Sequence, residues 1–371
     1  MSNIIRAPED LLRYLPASEA LRKRISDAIS AQAEGHPFAV TKYYLEEVID
    51  RDNSQDPLLE VILPNLDYLH QTDDSFGHIT SVDSRKMSHS PYFVQKYESN
   101  AILLVTPHCD QFCSHCFRKK TANSLGVISE DSLREVFRDL AMPAADDFQE
   151  LIISGGEPMT MPVSLWEELA KLKEELNLER SQRGVLPLEV SLNTRQVVVN
   201  PRKMLENEAL LDALEKLEPF NIGIHILHPR EITEDLKKIL AKLKEYSKFL
   251  FTVHPILKDI NNDPDILNEM YLKLARMGVI PKDLIHPVKS GIPASRCIDL
   301  EESMAIARDL MRRLPGCLTP KLVCCTPSHG KSTVDPYHLK TNGEYGYDIR
   351  DGEIYGLRTK DGTSNQPANV F

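Results

Sequence analysis

Short apolar runs alternate with helical patterns through the middle of the chain, between about residues 101 and 314. A run rich in Val, Ile and Leu predicts a buried strand, and apolar residues at helical spacing predict the helix that follows it. Six such units in series predict a parallel sheet that curls into a partial or full barrel. The expected strands are 101–105, 151–154, 188–193, 221–226, 249–253 and 283–288.

The segments on either side have a different character, and we divide the chain into three parts. Residues 1–100 are expected to form an N-terminal helical arm and an irregular connection. Residues 101–314 are expected to form the (β/α)6 core of an α/β fold. Residues 315–371 are rich in Gly, Pro, Asn and Asp, and we expect a C-terminal segment with one strand at 319–325.

Charge and hydropathy exclude some classes of partner. The chain has 44 Lys and Arg against 55 Asp and Glu, and its net charge of −11 predicts no nucleic-acid partner. No apolar run approaches the roughly eighteen residues of a transmembrane helix, and the first residues lack the apolar centre of a secretory signal. We therefore expect a cytoplasmic protein with no membrane partner, whose seven cysteines are reduced and serve a metal or catalysis.

Three cysteines follow the first predicted strand at C-x3-C-x2-C spacing. Cys109, Cys113 and Cys116 would place three thiolates on one short loop, which is enough to hold three irons of a [4Fe–4S] cluster and leaves the fourth iron open. The alternatives are a zinc site, with His108 or His115 as fourth ligand, and three unrelated buried cysteines. We favour the iron–sulfur interpretation because chemistry in a parallel sheet belongs at the carboxyl ends of the strands.

A second motif, Gly155-Gly156-Glu157, follows the next predicted strand. Alone it is typical of a tight turn, although glycines also allow the backbone to approach a ligand. Together the two motifs resemble the radical S-adenosylmethionine (SAM) superfamily. The resemblance implies that the open iron and the Gly155–Glu157 turn bind SAM. It also implies that one-electron reduction, by a partner such as flavodoxin or ferredoxin, gives a 5′-deoxyadenosyl radical.

Over most of its length the chain also resembles the lysine 2,3-aminomutase family. The residues of the 225–233 segment follow the family's H-x-x-H-P-x-E-I-T pattern, whereas Asp259 stands in place of a family glycine. The resemblance implies a homo-oligomer, and it implies that Asn193 and Arg195 contact a cofactor. The matching segments are 12–16, 41–45, 118–120, 193–201, 225–233, 257–261 and 330–336.

This second resemblance implies pyridoxal 5′-phosphate (PLP) as a further cofactor. Lys331 matches the lysine that forms a Schiff base with PLP, with a solvated loop lysine as the alternative. Lys96 lies where the family has a basic contact to the PLP phosphate, and the second basic position of that pair falls on Asn100. Arg118 matches the residue that holds the substrate carboxylate, a bidentate role that suits a guanidinium group. In the implied reaction, the substrate displaces Lys331 and its α-amino group moves to the β-carbon.

Two departures from the family bear on the substrate. Lysine-specific members hold the substrate's ε-ammonium with two aspartates, and the corresponding positions here are Pro287 and Cys324. Because a buried ammonium without partners is costly, we do not expect lysine to be the substrate. His286 and Lys289 lie nearby in the sequence. We expect these two residues, with Cys324, to contact a neutral or acidic amino acid.

Two other functional classes remain open. One is a radical SAM enzyme that modifies a protein or RNA side chain, or that catalyses a PLP-dependent radical reaction other than amino migration. The other is an iron–sulfur sensor without PLP. The remaining cysteines have no common metal-ligand spacing, and we expect small buried side chains at Cys297, Cys317, Cys324 and Cys325.

Overall fold

The computed structural model of the chain describes residues 3–16, 18–64, 87–95, 97–116, 118, 125–288, 292–326, 330–336, 348–350 and 353–355. The α-helices are α1 (Glu19–Ala33), α2 (Lys42–Glu47), α3 (Leu59–Ile62), α4 (Glu130–Leu140), α5 (Val163–Gln182), α6 (Gln196–Val199), α7 (Pro201–Leu205), α8 (Glu208–Leu217), α9 (Glu234–Tyr246), α10 (Pro264–Arg276) and α11 (Leu300–Arg313). The strands are β1 (Ile4–Ile5), β2 (Val40–Thr41), β3 (Phe93–Gln95), β4 (Asn100–Thr106), β5 (Glu150–Gly155), β6 (Glu189–Thr194), β7 (Asn221–Ile224), β8 (Phe249–Pro255), β9 (Val279–His286), β10 (Lys321–Thr326), β11 (Gly330–Thr333), β12 (Asp348–Arg350) and β13 (Glu353–Tyr355).

Nine of these strands form one sheet, in the order β11-β10-β9-β8-β7-β6-β5-β4-β3. Neighbours from β4 to β10 pair in parallel, whereas the outer pairs β3–β4 and β10–β11 are antiparallel. The six predicted strands and the strand expected at 319–325 are all present and lie side by side in chain order. The predicted α/β fold with a partial radical SAM-type barrel is confirmed.

The two faces of the sheet have different surroundings. Leu192, Ile222, Leu250 and Leu284, on four neighbouring strands, are at most 2% exposed and belong to the hydrophobic core shared with the helices. Because successive residues of a strand point to opposite faces, a neighbour such as Asn193 points away from the helices. We call this second side the inner face of the sheet, and it is the side that lines the partial barrel.

Helix α4 shows how the sequence builds the outer layer. The predicted cap, Ser129, accepts a hydrogen bond from the backbone N–H of Ser132, which satisfies one of the free donors at the helix start. The predicted apolar stripe is buried against the sheet, namely Leu133, Val136, Phe137 and Leu140. None of the helices in the described ranges is long and apolar enough to cross a membrane.

The sheet extends across both predicted part boundaries. Strand β3 lies before residue 100 and pairs with β4, while β10 and β11 lie after residue 314 and continue the sheet beyond β9. The backbone N–H of Lys331 in β11 also donates to Tyr97 Oη, just beyond β3, at 3.0 Å. The first and last parts of the chain therefore complete the central sheet, because its edge strands need partners for their backbone groups.

Asp56 fixes the N-terminal arm against the barrel. Its carboxylate is fully buried and accepts hydrogen bonds from the backbone N–H groups of Asp50 and Leu58. The guanidinium of Arg230, beyond β7, donates to both carboxylate oxygens. One buried carboxylate thus shapes its own loop and joins two distant parts of the chain.

We expect Asp56→Ala to lower the free energy of unfolding by about 2–4 kcal/mol, because it leaves buried donors and a guanidinium without their acceptor. Glu47→Ala is the matched control, since Glu47 forms an exposed ion pair with Arg202 and its loss should cost at most about 1 kcal/mol. Urea unfolding followed by circular dichroism measures both. Equal effects of the two substitutions would contradict the role of Asp56.

Candidate active site

The predicted cysteine loop begins directly after β4, and its three cysteines are partly exposed. Burial raises the pKa of the Cys109 thiol well above its usual value, and the nearby Cys116, Glu157 and Cys113 groups raise it further. A metal cluster would relieve this repulsion by binding the sulfurs as thiolates. In the described residues, no three His, Cys, Asp or Glu side chains are arranged to hold a single metal ion.

The N-terminal arm holds this loop in place. The backbone N–H of Phe112 donates to Ala39 O at 2.9 Å, and that of Ser114 donates to Val61 O at 2.7 Å. The Ser114 hydroxyl also donates to the carbonyl of Glu60. These are sequence-distant backbone contacts without a residue signature, so sequence analysis did not identify the arm as part of the site.

Side chains of the cluster loop are also bound from the barrel side. Asp110, which is 6% exposed, accepts hydrogen bonds from Gln196 Nε2 at 2.9 Å and from Lys203 Nζ at 2.7 Å. Gln111 is 4% exposed, and its amide has no hydrogen-bond partner among the described residues. Because buried polar groups are normally paired, the three thiols and this unpaired amide fit a site that holds a cluster and a polar ligand.

The two glycines of the second motif are required because backbone atoms of the preceding loop lie very close to them. Gly155 has φ +125°, and a Cβ atom there would lie 2.7 Å from the carbonyl oxygen of Thr106. A Cβ on Gly156 would lie 2.5 Å from the carbonyl oxygen of His108. The Gly156 N–H donates to Thr106 O at 2.6 Å. The glycines therefore let the turn after β5 pack against the start of the cluster loop. This packing alone requires glycine at both positions, whether or not the turn also contacts SAM.

Glu157 joins this turn to the next strand. Its Oε1 accepts hydrogen bonds from Met159 N and Thr194 Oγ1, and its Oε2 accepts from the backbone N–H groups of Arg195 and Gln196. Burial raises its pKa, and the hydrogen bonds from Thr194, Arg195 and Met159 oppose this rise. Because the carboxylate already accepts four hydrogen bonds, it positions the Gly155–Gly156 turn and is not free to bind a cofactor.

The two predicted cofactor contacts, Asn193 on β6 and Arg195 directly after it, lie in different surroundings. Asn193 is on the inner face, where its Oδ1 fills the space that a side chain at Gly223 would need. Arg195 pairs with the buried carboxylate of Glu231 and donates to His225 O at 2.9 Å, while its Nε has no partner among the described residues. Tyr44 of the arm donates to the same Glu231 oxygen at 2.7 Å. Asn193 can therefore meet a ligand in the barrel, whereas most of Arg195 is used to hold the structure.

Lys331 lies on β11, paired with Cys325, and its side chain reaches across the inner face to β9. Its Nζ forms an ion pair with Asp283 Oδ2 at 2.6 Å, and Asp283 is 7% exposed. The pKa of His225 is lowered to about 4, mainly by burial and then by the charges of Arg195 and Lys331. The ion pair thus holds the Lys331 amine on the inner face of the sheet, and the Lys331 side chain is 44% exposed. Sequence analysis missed Asp283, although an acid inside an apolar run was a visible signal.

His286 and Cys324 are not where the sequence analysis placed them. They pair with each other across β9 and β10 on the helix-facing side of the sheet. His286 is 5% exposed, its Nδ1 lies 2.8 Å from Ser303 Oγ, and burial lowers its pKa to about 4. Cys324 is fully buried in the core, and Cys325 is the neighbour that shares the inner face with Lys331. The expectation that His286 and Cys324 contact substrate is therefore corrected.

The other predicted site residues and cysteines lie in different parts of the chain. Lys96 and Lys289 lie outside the described residues. Arg118 lies beside the cluster cysteines, where burial lowers its pKa and the Cys116 group opposes that change. Cys317 is exposed rather than buried, contrary to expectation, and Cys297 is partly exposed.

Residues 103–277 match the family model of the Radical SAM superfamily, and this range contains the cysteine loop, the glycine turn and strands up to β8. The chain carries a radical SAM domain. Such a domain implies a [4Fe–4S] cluster, SAM, a small-molecule substrate and an external reductant. The three cysteines, the unpaired Gln111 amide and the glycine turn of this domain are the groups available to hold the cluster and SAM.

The chain also has curated relatives along most of its length. It is 27% identical to a putative L-lysine 2,3-aminomutase of Aquifex aeolicus (strain VF5), over 92% of this chain and 88% of the relative. It is 25% identical to the L-lysine 2,3-aminomutase of Escherichia coli (strain K12), over 87% of this chain and 89% of the relative. The protein from Clostridium subterminale is 24% identical, over 89% and 75%.

A solved structure is also similar to the chain. It is the crystal structure of a radical SAM methyltransferase from Sphaerobacter thermophilus, with 14% identity and a TM-score of 0.40, covering 62% of this chain and 68% of that chain.

We expect Gly156→Ala to reduce the iron bound after anaerobic reconstitution, because the new methyl group displaces the His108 carbonyl and the cluster loop that follows it. The local strain is of order 1–3 kcal/mol. Iron and sulfide analysis measures the loss. Gly316→Ala is the control, since a Cβ there meets nothing within 4 Å. Full iron content in Gly156→Ala would show that this close contact does not support the cluster.

Proposed function

We propose that this protein is a radical SAM, PLP-dependent 2,3-aminomutase that moves the α-amino group of an amino acid to its β-carbon. The observation that carries the proposal is the position of Lys331, whose amine lies on the inner face of the sheet, 2.6 Å from the buried carboxylate of Asp283. A lysine that binds an aldehyde needs a neighbouring group that positions its amine and can accept its proton. The relatives named L-lysine 2,3-aminomutase support the same reaction class.

The cofactors divide the chemistry between them, and the chain supplies their sites. Cys109, Cys113 and Cys116 would hold the cluster, the loop and turn around Gly156 would hold SAM, and Lys331 would hold PLP. When bound, the cluster and SAM would supply a 5′-deoxyadenosyl radical that removes a substrate hydrogen, and PLP would supply a conjugated ring that stabilises an unpaired electron during migration of nitrogen.

Asp283 has a defined task in this scheme. Its Oδ2 lies 2.6 Å from Lys331 Nζ and can take the proton that the ammonium must lose before its nitrogen can form a bond to carbon. The carboxylate also fixes the direction of a long, flexible side chain. Asp283 therefore keeps Lys331 in position and offers Oδ2 as the acceptor for its proton.

Arg118 is our proposed contact for the substrate carboxylate. It lies beside Cys116 at the start of the site, and a guanidinium can bind both oxygens of a carboxylate at once. Every α-amino acid presents this group, so Arg118 would set the orientation of the substrate rather than the choice between substrates.

The choice of substrate depends on what the barrel offers to a side chain. The two aspartates expected of a lysine-specific site are replaced by Pro287 and Cys324, and Cys324 faces the helices. Asp283 is already paired with Lys331. We therefore propose a neutral or acidic amino acid as substrate, since a second buried ammonium would lack a partner.

We further propose that the chain works in the cytoplasm as a homo-oligomer, with a small electron-transfer protein such as flavodoxin or ferredoxin as reductant. Support for the oligomer comes from the resemblance alone. Sedimentation at micromolar concentration tests it.

Covalent capture tests the assignment of Lys331. We expect the wild-type protein with PLP to show a visible absorbance band that borohydride removes, with the mass of reduced PLP on the peptide containing Lys331. Lys331→Ala should show neither signal, and Lys237→Ala on the exposed face of α9 should behave as wild type. Labelling that persists in Lys331→Ala would refute the assignment.

Turnover with a panel of amino acids tests the proposed specificity. We expect reconstituted, reduced enzyme to convert a neutral or acidic amino acid to its β-isomer faster than L-lysine, by about tenfold or more in kcat/KM. Anaerobic incubation with each standard amino acid plus ornithine, followed by mass spectrometry, measures this. A clear preference for L-lysine would overturn the specificity and leave the reaction class intact.

A further inference from the structure

Lys282 and Asp283 are consecutive residues of β9, yet both are directed to the inner face. Consecutive strand residues normally point to opposite faces. Here Thr252 of β8 pairs with Pro281 and Val253 pairs with Asp283, so Lys282 is an extra residue that has no partner in the register. This is a β-bulge, a feature that re-aims side chains and is frequent beside active sites.

The position of the Lys282 ammonium follows from its contact with Phe251. Its Nζ lies 4.5 Å from the centroid of the Phe251 ring. That ring covers Gly223, since a Cβ built on Gly223 would meet ring atoms at 3.0 Å, and it lies beside Asn193 on the inner face. The bulge thus places a positive charge on the inner face of the sheet, against the Phe251 ring.

This ammonium has capacity for a ligand. The Lys282 side chain is exposed, and in the part of the chain that the structure describes it forms no ion pair with a carboxylate. Asp283, the nearest acid along the strand, is paired with Lys331 instead. A cation–π contact leaves the outer side of an ammonium free for hydrogen bonds to an anion.

We propose that Lys282 binds the phosphate group of the PLP whose aldehyde carbon Lys331 holds, an inference that rests on the proposed function. Phe251 and Val253, the β8 neighbours of Lys282 and Asp283, are two residues apart, or about 6–7 Å along the strand. That separation is comparable to the span of pyridoxal phosphate from its aldehyde to its phosphate. An ammonium is a suitable phosphate ligand, and Lys282 would supply the second positive charge that is missing at Asn100.

The test compares two forms of the cofactor. PLP and pyridoxal, which lacks the phosphate, are titrated into wild type and Lys282→Met, and binding is measured by equilibrium dialysis with absorbance. We expect Lys282→Met to weaken PLP binding by about 10- to 100-fold and to leave pyridoxal binding unchanged. Lys282→Arg should retain most of the affinity for PLP. Lys237→Met is the matched control, because it removes a lysine on the exposed face of α9.

Unchanged PLP affinity in Lys282→Met, with wild-type covalent capture at Lys331, would overturn this inference and leave the proposed function intact. Equal loss of PLP and pyridoxal would also overturn it, because Lys282 would then serve the fold or the substrate rather than the phosphate. Absence of covalent PLP in the wild type would overturn both proposals. If Lys282→Met melts below wild type, Lys282→Gln provides the same comparison with a polar side chain.

Discussion

The contact between the turn after β5 and the loop after β4 determines where the rest of the site can lie. Two glycines allow these backbones to approach so closely that any side chain at Gly156 would collide with the His108 carbonyl. Hydrogen bonds from the N–H groups of Gly156 and Glu157 then fix the path of the chain toward Cys109. The cysteine loop therefore starts from a backbone whose course is already set.

A network of buried charged side chains connects this turn to the N-terminal arm. Glu157 binds the start of α6, Arg195 pairs with Glu231, and Tyr44 of the arm donates to Glu231. Removal of one partner leaves another buried charge or donor unpaired. The resulting loss in free energy of unfolding is larger than the contribution of an ordinary hydrogen bond. The network therefore ties the geometry of the cluster loop to the docking of the arm, although none of its members needs to touch a cofactor.

Local patterns and short motifs were enough to predict much of this molecule. They did not predict the register in which the strands pair. Strand order, the capping of α4 by Ser129 and the position of the cysteine loop follow from periodicity and short motifs. The direction of a side chain depends on strand pairing instead. Cys324 and His286 face the helices, whereas Cys325 faces the barrel, and one unpaired residue at Lys282 changes the alternation on β9. A shift by one residue exchanges the two faces of a strand, and no local sequence signal reports such a shift.

The contacts between the N-terminal arm and the cluster loop join residues that are far apart in the sequence, and this affects the order of folding. Ser114 binds a carbonyl 54 residues earlier in the chain, and Tyr44 binds a carboxylate 187 residues later. Contacts between such distant residues form late, since the intervening chain must be ordered first. The pocket for the metal is therefore completed only after most of the barrel has been synthesised and folded. Iron and sulfide would then bind to a nearly finished structure.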